Sequence, residues 1–432
     1  SQPNDWFLGY SGRGKIYWTG GTLDCKDASG RARSGSTFSL VNAEYFEFKS
    51  IIFLDQRNTH HFDLSGIRNI VMSECYFYGF TYDLVDGNGV AIPTDKIRAY
   101  SECIQIDYSS HQAMPSQNTG HDGTACQFVF IQKCKFDKSE TYPSWNRAAG
   151  MHNVYFPTYN WLCNADGTLK GNNFNFEYSK SKNIYITDNE IYGNGTIAHD
   201  YYTIDGTTGE KIYDPEGYII QQIRLLKVDN VYISGNKIEN AKGGISFDCD
   251  QSSKTMIDTD AERDFRTTNS GHLMPYSVEW TDSRGDKQKI LYSESTGDKG
   301  TKTTTYTQYG KTYKITWAKT SKVLDYYGIS NCHVINNTFK NITAGIYDAN
   351  GAPAYQPSTP IYVRGECRTK HSATLQGTRA NKVIIMGNII DGIETVSPEI
   401  QSRIASVAGQ TIAPPGTTGG TTFKANIVSA IS

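Results

Sequence analysis

The alternation of apolar and polar positions along this chain falls into a nine-residue phrase that returns with different residues in it. It reads Asn69-Ile-Val-Met-Ser-Glu-Cys-Tyr-Phe77 and recurs ending at Phe136, Ile191, Ile238, Phe339 and Ile390. Apolar residues hold the second and fourth places, Asn or Cys the seventh, and Phe or Ile the ninth. Apolar residues two apart describe a strand with one buried face. The Asn or Cys that follows describes a tight polar corner leading into a second strand. Repeated along a chain, this unit is how a rung of a parallel β-helix is written.

The seventh positions are Cys75, Cys134, Asn189, Asn236, Asn337 and Asn388, spaced 47 to 101 residues apart. A coil of such a solenoid takes roughly 20 to 25 residues, so most intervals hold about two coils or one coil with a long loop. The corner side chains are expected to stack. Asn suits the place because its amide bonds to backbone and it tolerates the left-handed conformation. Cys75 and Cys134 read as small buried members of the stack, and the nine cysteines do not indicate a disulfide framework.

Between the phrases lie second strands such as Cys103-Ile-Gln-Ile-Asp107, Gln222-Ile-Arg-Leu-Leu226 and Gly244-Ile-Ser-Phe-Asp248. Their alternation predicts one face in the core and one in water, the wet face being the working surface. Segments from Ile16 to Leu23 and from Tyr45 to Leu54 read as opening coils. The fold expected is all-β: a single-stranded right-handed parallel β-helix over 1–409, with loop insertions at 108–125, 194–217 and 254–319. The last insertion is Thr-rich and reads as a β-hairpin excursion. Residues 410–432, with Pro414-Pro415-Gly416, read as a linker or capping tail.

Composition sharpens this picture. Forty Gly, 29 Tyr and 18 Phe against six Met, with 20% charged residues, describe strands and turns. A net charge of −2 without basic runs gives no footprint for nucleic acid. No apolar stretch approaches a membrane span, so no membrane insertion is expected. Ser1 in place of Met reads as a processing boundary. No heptads decide between a monomer and a homotrimer.

The chemistry concentrates between Glu102 and Asn153. Glu102 and Asp107 bracket a strand, Asp122 sits in His121-Asp122-Gly123-Thr124, and His152 lies in Ala149-Gly-Met-His-Asn153. Stacked coils about 4.8 Å apart can bring such carboxylates side by side, dividing proton donor from ionised base. Further along, Arg224 and Lys227 offer a clamp for an anionic group. Tyr155 and Trp161 offer stacking faces for sugar rings, while His121 and Asn153 complete the candidate binding set. No metal site is expected: Asp248, Asp250, Asp258 and Asp260 lack calcium-loop spacing, and His60-His61 read as surface or packing residues. No cofactor motif is present.

The words Glu102-Cys-Ile-Gln-Ile-Asp107, Asp122-Gly-Thr-Ala-Cys126 and Ala149-Gly-Met-His-Asn153 resemble the right-handed parallel β-helix proteins of the pectate-lyase superfamily. Within it they resemble glycan-active enzymes and phage tail-spike or tail-appendage depolymerases. The resemblance implies a carbohydrate-active enzyme on an extracellular or cell-surface polysaccharide, secreted or virion-associated. Asp107 and Asp122 would be acid and base, His152 a proton-transfer or orienting partner and Arg224 a substrate clamp. The polygalacturonase-like members of that superfamily carry three aspartates on neighbouring coils, a Gly-His-Gly and an Arg-x-Lys; here there is no Asp-Asp doublet, the His lacks a following Gly, and two residues separate Arg224 from Lys227. Two alternatives stand beside hydrolysis: a polysaccharide lyase acting on a uronic-acid polymer, and a non-catalytic glycan receptor-binding protein of a phage tail or adhesin.

Overall fold

The structure is a computed structural model. It describes residues 14–26, 37–57, 60–81, 103–107, 109, 124–138, 151–153, 181–193, 202–204, 211–213, 222–226, 228–241, 243–248, 273–282, 284–291, 299–308, 311–319, 326–342, 360–364, 367–369, 372–376, 378–393, 411–412, 421–424 and 427–430.

Among the described residues the protein is all-β, and the strand order is that of stacked coils. Three sheets of parallel strands carry it. The first runs from Lys15–Thr19 through Arg68–Ser73, Gln127–Gln132, Lys182–Thr187 and Asp229–Ser234 to Thr421–Lys424, where the short strand Thr411–Ile412 pairs antiparallel. The second runs from Thr22–Asp24 through Tyr76–Thr81 and Lys135–Asp137 to Ile427–Ala430. The third takes Phe38–Val41, Phe62–Ser65, Ile104–Asp107, Met151–Asn153, Ile223–Leu226, Ile245–Asp248 and Ile361–Arg364 in chain order. Visiting three sheets in turn, each strand pairing with its counterpart one circuit later, is the arrangement of a parallel β-helix.

The nine-residue phrase is the end of a first-sheet strand, the corner, and the start of a second-sheet strand. Gln127–Gln132 pairs with both Arg68–Ser73 and Lys182–Thr187, so the interval from Cys75 to Cys134 is one coil carrying long insertions, and the later intervals are likewise single coils. Register also places Lys15 to Leu23 and Tyr45 to Phe53 as two earlier copies. They escape the pattern because Gly21 and Ile51 occupy the seventh place.

One expectation is corrected. The left-handed residue is the sixth of the phrase, with φ from 54° to 73° at Gly20, Ser50, Glu74, Lys133, Asp188, Gly235, Asn336 and Gly387. A second lies at the first position in six copies, Asn69, Phe128, Asn183, Asn230, Asn331 and Lys382, with φ from 53° to 58°. The seventh-position Asn does another job: its side chain turns inward and bonds to the next coil. Asn189 Nδ2 donates to Asn236 Oδ1 at 2.8 Å, Asn236 to Asn337 at 2.9 Å and Asn337 to Asn388 at 3.0 Å. The same oxygens accept the backbone amides of the preceding coil's corner residue, at 2.9 to 3.0 Å. The four Asn are buried to 1% or less.

The core follows from the second, fourth and ninth positions together with alternate residues of the third sheet. Ile70, Met72, Val129, Ile131, Ile184 and Ile186 face Ile104, Ile106, Ile223 and Leu225, all fully buried. Ninth-position rings stack coil on coil, Phe53 on Phe77 at 4.9 Å and Phe77 on Phe136 at 4.7 Å, with planes within 10°. Such pairs add about 0.5–1.5 kcal/mol to the burial itself.

Cys75 and Cys134 are buried and free, as the stack requires. His60 and His61 are packing residues, at 5% and 0% exposure. The excursion after Asp248 is larger than a hairpin: Lys287–Leu291, Leu273–Thr281, Lys311–Lys319 and Lys299–Gln308 form a four-stranded antiparallel sheet in that order. Tyr202–Ile204 and Lys211–Tyr213 form a small hairpin within 194–217.

Candidate functional site

The third sheet carries the candidate site. Phe62, Leu64, Ile104, Ile106, Ile223, Leu225, Ile245 and Phe247 point to the core and the residues between them point out, because successive side chains of a strand take opposite faces. Parallel register then lines the outward residues into two rows. One row carries Ser39, Asp63, Gln105, Arg224 and Ser246, with the His152 backbone in register between Gln105 and Arg224; the other carries Val41, Ser65 and Asp107.

The outward face is not in water, contrary to the expectation from its alternation. Ser65 and Asp107 are 0% exposed, Ser246 is 2% and Gln105 and Arg224 are 6%. Asp63 is half-buried. Polar residues hidden on the side of a sheet away from its core are costly unless bonded. Some are bonded: Gln105 Nε2 donates to Asp107 Oδ2 at 2.7 Å. Others are not. Gln105 Oε1, Ser65 Oγ and Ser246 Oγ have no hydrogen-bond partner among the described residues.

Of the sequence-predicted residues, Asp107 and Arg224 lie on this face, and His152 sits in register between Gln105 and Arg224. Asn153 is at the next place of the same strand, paired with Ile106. Glu102, His121, Asp122, Tyr155, Trp161 and Lys227 lie outside the described residues. Asp63, Gln105, Ser65 and Ser246 were not singled out as site residues from the sequence. The signal for Asp63 is present, since Phe62-Asp-Leu-Ser65 alternates as Ile104-Gln-Ile-Asp107 does, and the two strands pair residue for residue.

Asp63 and Asp107 are diagonal neighbours across adjacent strands. A strand spacing of about 4.8 Å and two residues along the chain separate their backbones by roughly 8 Å. Gln105 stands between them, directly beside Asp63 in register and bonded to Asp107. Two carboxylates, an amide, two hydroxyls and a guanidinium on one hidden strip can bind a polyhydroxylated ligand from several sides. Among the described residues no group of three His, Cys, Asp or Glu could hold a metal ion. No helix among them is long and apolar enough to cross a membrane.

The outer faces of the other two sheets differ. On the first, Phe130 and Tyr185 stack at 4.9 Å with planes 5° apart, so each covers a ring face of the other and the edges meet solvent. A sugar stacks on a ring face, which makes this ladder a poor platform. On the second, Lys135 pairs with Asp137 at 3.1 Å and lies 5.4 Å from the Tyr192 ring centre, and Lys237 pairs with Glu239 at 3.2 Å. These charges neutralise each other along the coils.

No protein-family model matches the chain, the pectate-lyase superfamily included, and no curated protein matches it. Two solved structures align with it. One is the surface protein and adhesin PfbA of Streptococcus pneumoniae, at 14% identity and a TM-score of 0.46, over 88% of this chain and 63% of that one. The other is a second structure of the PfbA surface adhesin, at 14% identity and a TM-score of 0.45, over 90% and 61%. The chain thus spans less than two thirds of the length of the structures it matches.

Proposed function

We propose that the chain is a right-handed, single-stranded parallel β-helix protein of a cell surface, virion or extracellular medium, and that it binds a carbohydrate along the outer face of the third sheet. The observation that carries this reading is the hidden polar strip. Each buried polar atom left without a partner costs about 1–3 kcal/mol. A face built for stability alone is expected to be apolar or mutually bonded. Sugar hydroxyls donate and accept at once, and so fit Gln105 Oε1, Ser65 Oγ and Ser246 Oγ together.

Access is part of the proposal. With Gln105, Arg224 and Ser246 retaining only a few per cent of their surface, the strip must open before a ligand enters. Association slower than the usual 10⁵–10⁷ M⁻¹s⁻¹ follows from such gating, on the order of tenfold or more. The test is saturable binding to immobilised oligosaccharides, neutral and acidic, compared with Gln105→Ala and Ser246→Ala. Loss in both variants with unchanged circular dichroism supports the site. Equal binding by both places any glycan recognition elsewhere.

A second reading, hydrolysis, is favoured by Asp63 and Asp107. Inverting glycosidases hold their two carboxyl groups roughly 6.5–9.5 Å apart, leaving room for the attacking water. The diagonal of about 8 Å between the two backbones is of that size. One carboxyl would protonate the leaving oxygen while the other takes a proton from water, with Gln105 orienting Asp107. Asp63→Asn and Asp107→Asn should each abolish release of reducing ends while the strip still binds. An ultraviolet-absorbing unsaturated product would point to elimination instead, and binding with no product to an adhesin.

A further inference from the structure

The corner column that holds Asn in four coils holds Cys in the two coils before them. Tyr76 pairs in parallel register with Lys135, and the Lys135 amide donates to the Cys75 carbonyl at 2.9 Å, so Cys75 and Cys134 stack directly on adjacent coils. Each reaches backbone carbonyls, Cys75 that of Phe48 at 3.4 Å and Cys134 that of Gln132 at 3.4 Å. Thiols are weak donors and weak acceptors, so they do not carry on the amide column that ends at Asn189.

We propose that Cys75 and Cys134 are a reversible redox pair, which thiol–disulfide exchange with a low-molecular-weight disulfide converts into a staple between two coils. In-register neighbours about 4.8 Å apart fall inside the 4.4–6.8 Å range of disulfide-bonded Cα atoms. Side chains running side by side from backbones about 4.8 Å apart hold their Cβ atoms at about that spacing, slightly beyond the usual 3.5–4.5 Å. Such a bond is strained and easily reduced, which makes it a switch and not a permanent bridge.

Burial holds the Cys134 thiol well above the usual thiol range, with the neighbouring Cys75 adding to it. The Cys75 thiolate attacks one sulfur of the small disulfide and expels a small thiolate. Cys134 gives up its proton, attacks Cys75 Sγ of the mixed disulfide and expels the second small thiolate. The pair loses two protons and two electrons, and the small disulfide leaves as two thiols. Both sulfurs are buried, so the exchange passes through local opening of this corner.

The test equilibrates the full chain with oxidised and reduced glutathione, in buffer and in sub-denaturing urea where opening is faster. Free thiols are then alkylated under denaturing conditions and the peptides mapped. The expected result is a cross-linked peptide joining Cys75 to Cys134, two hydrogen masses lighter than the reduced pair, lost on adding excess reduced glutathione and absent in Cys75→Ser and Cys134→Ser. Both cysteines fully alkylated under every oxidising condition, or cross-links to other cysteines in place of this one, would overturn the proposal.

Discussion

The amide column between the first and second sheets and the polar strip on the third are both rows of hidden polar side chains stacked coil on coil, yet they are finished differently. In the column every Asn oxygen accepts from the coil before it, and every Asn Nδ2 from Asn189 to Asn388 donates to a backbone carbonyl, as Asn189 does to Ile131 at 3.0 Å. In the strip, Gln105 spends its NH2 on Asp107 and leaves its oxygen without a described partner, as do the Ser65 and Ser246 hydroxyls. A closed network tightens the scaffold, and an open one holds unused bonding capacity. The difference separates residues kept for the fold from residues available to a ligand.

The sharpest way to break that distinction is to remove one link of the column. Asn236→Leu deletes the acceptor of both the Asn189 amide and the Asn189 Nδ2, and removes the side-chain donor to the Ile186 carbonyl. The Asn189 backbone N–H and one of the two Nδ2–H groups lose their acceptors at about 1–3 kcal/mol each, and with the misfit of a branched apolar side chain the loss is about 4–6 kcal/mol. Urea unfolding measures it. A loss under 1 kcal/mol would mean the column is ornamental and the comparison empty.

His61 tests whether every orphan atom belongs to a site. Its Nε2 has no described partner either, but the ring lies in the core, 5.4 Å from Phe53 and 5.6 Å from Phe77. Burial, with His60 adding to it, lowers its pKa from 6.5 to about 3. The sign follows: below pH 6.5 the unfolded chain takes up a proton that the folded chain refuses, so stability falls from pH 6.5 towards 3 and is level above and below. At 1.36 kcal/mol per pH unit the fall reaches at most roughly 5 kcal/mol. Thermal unfolding across pH 7 to 4 should show the slope, and His61→Gln should flatten it. An equal slope in the variant would assign acid sensitivity to the carboxylates.

The column was legible in the sequence because its spacing is rigid: apolar second and fourth places and a small seventh place leave little choice of partner. The corner's handedness was harder to read, since Asn appears at the first, sixth and seventh places, as in Asn331, Asn336 and Asn337, and only the backbone tells that the first two are left-handed and the third is not. The strip was half legible. Asp107 and Arg224 stand out as charges in apolar strands, whereas Asp63 and Ser246 look like ordinary outward residues until register aligns them. Nor does alternation reveal that the outward face is buried, because a period of two says which side a residue takes and not what lies over it.

The smallest expected effect on stability is the most informative for function. Gln105→Ala removes a side chain with one bond made and one acceptor idle, so its loss is offset by ending the cost of that idle oxygen. Ser246→Ala removes a buried hydroxyl without a described partner and leaves the backbone ladder to Arg224 intact. Each should change stability by less than about 1 kcal/mol, in either direction. Function residing in the strip requires those same variants to lose glycan binding tenfold or more, a split between stability and binding opposite to that of Asn236. A variant that unfolds the protein and spares binding would instead mark its residue as a second scaffold element, and the strip as a face held together by contacts of its own.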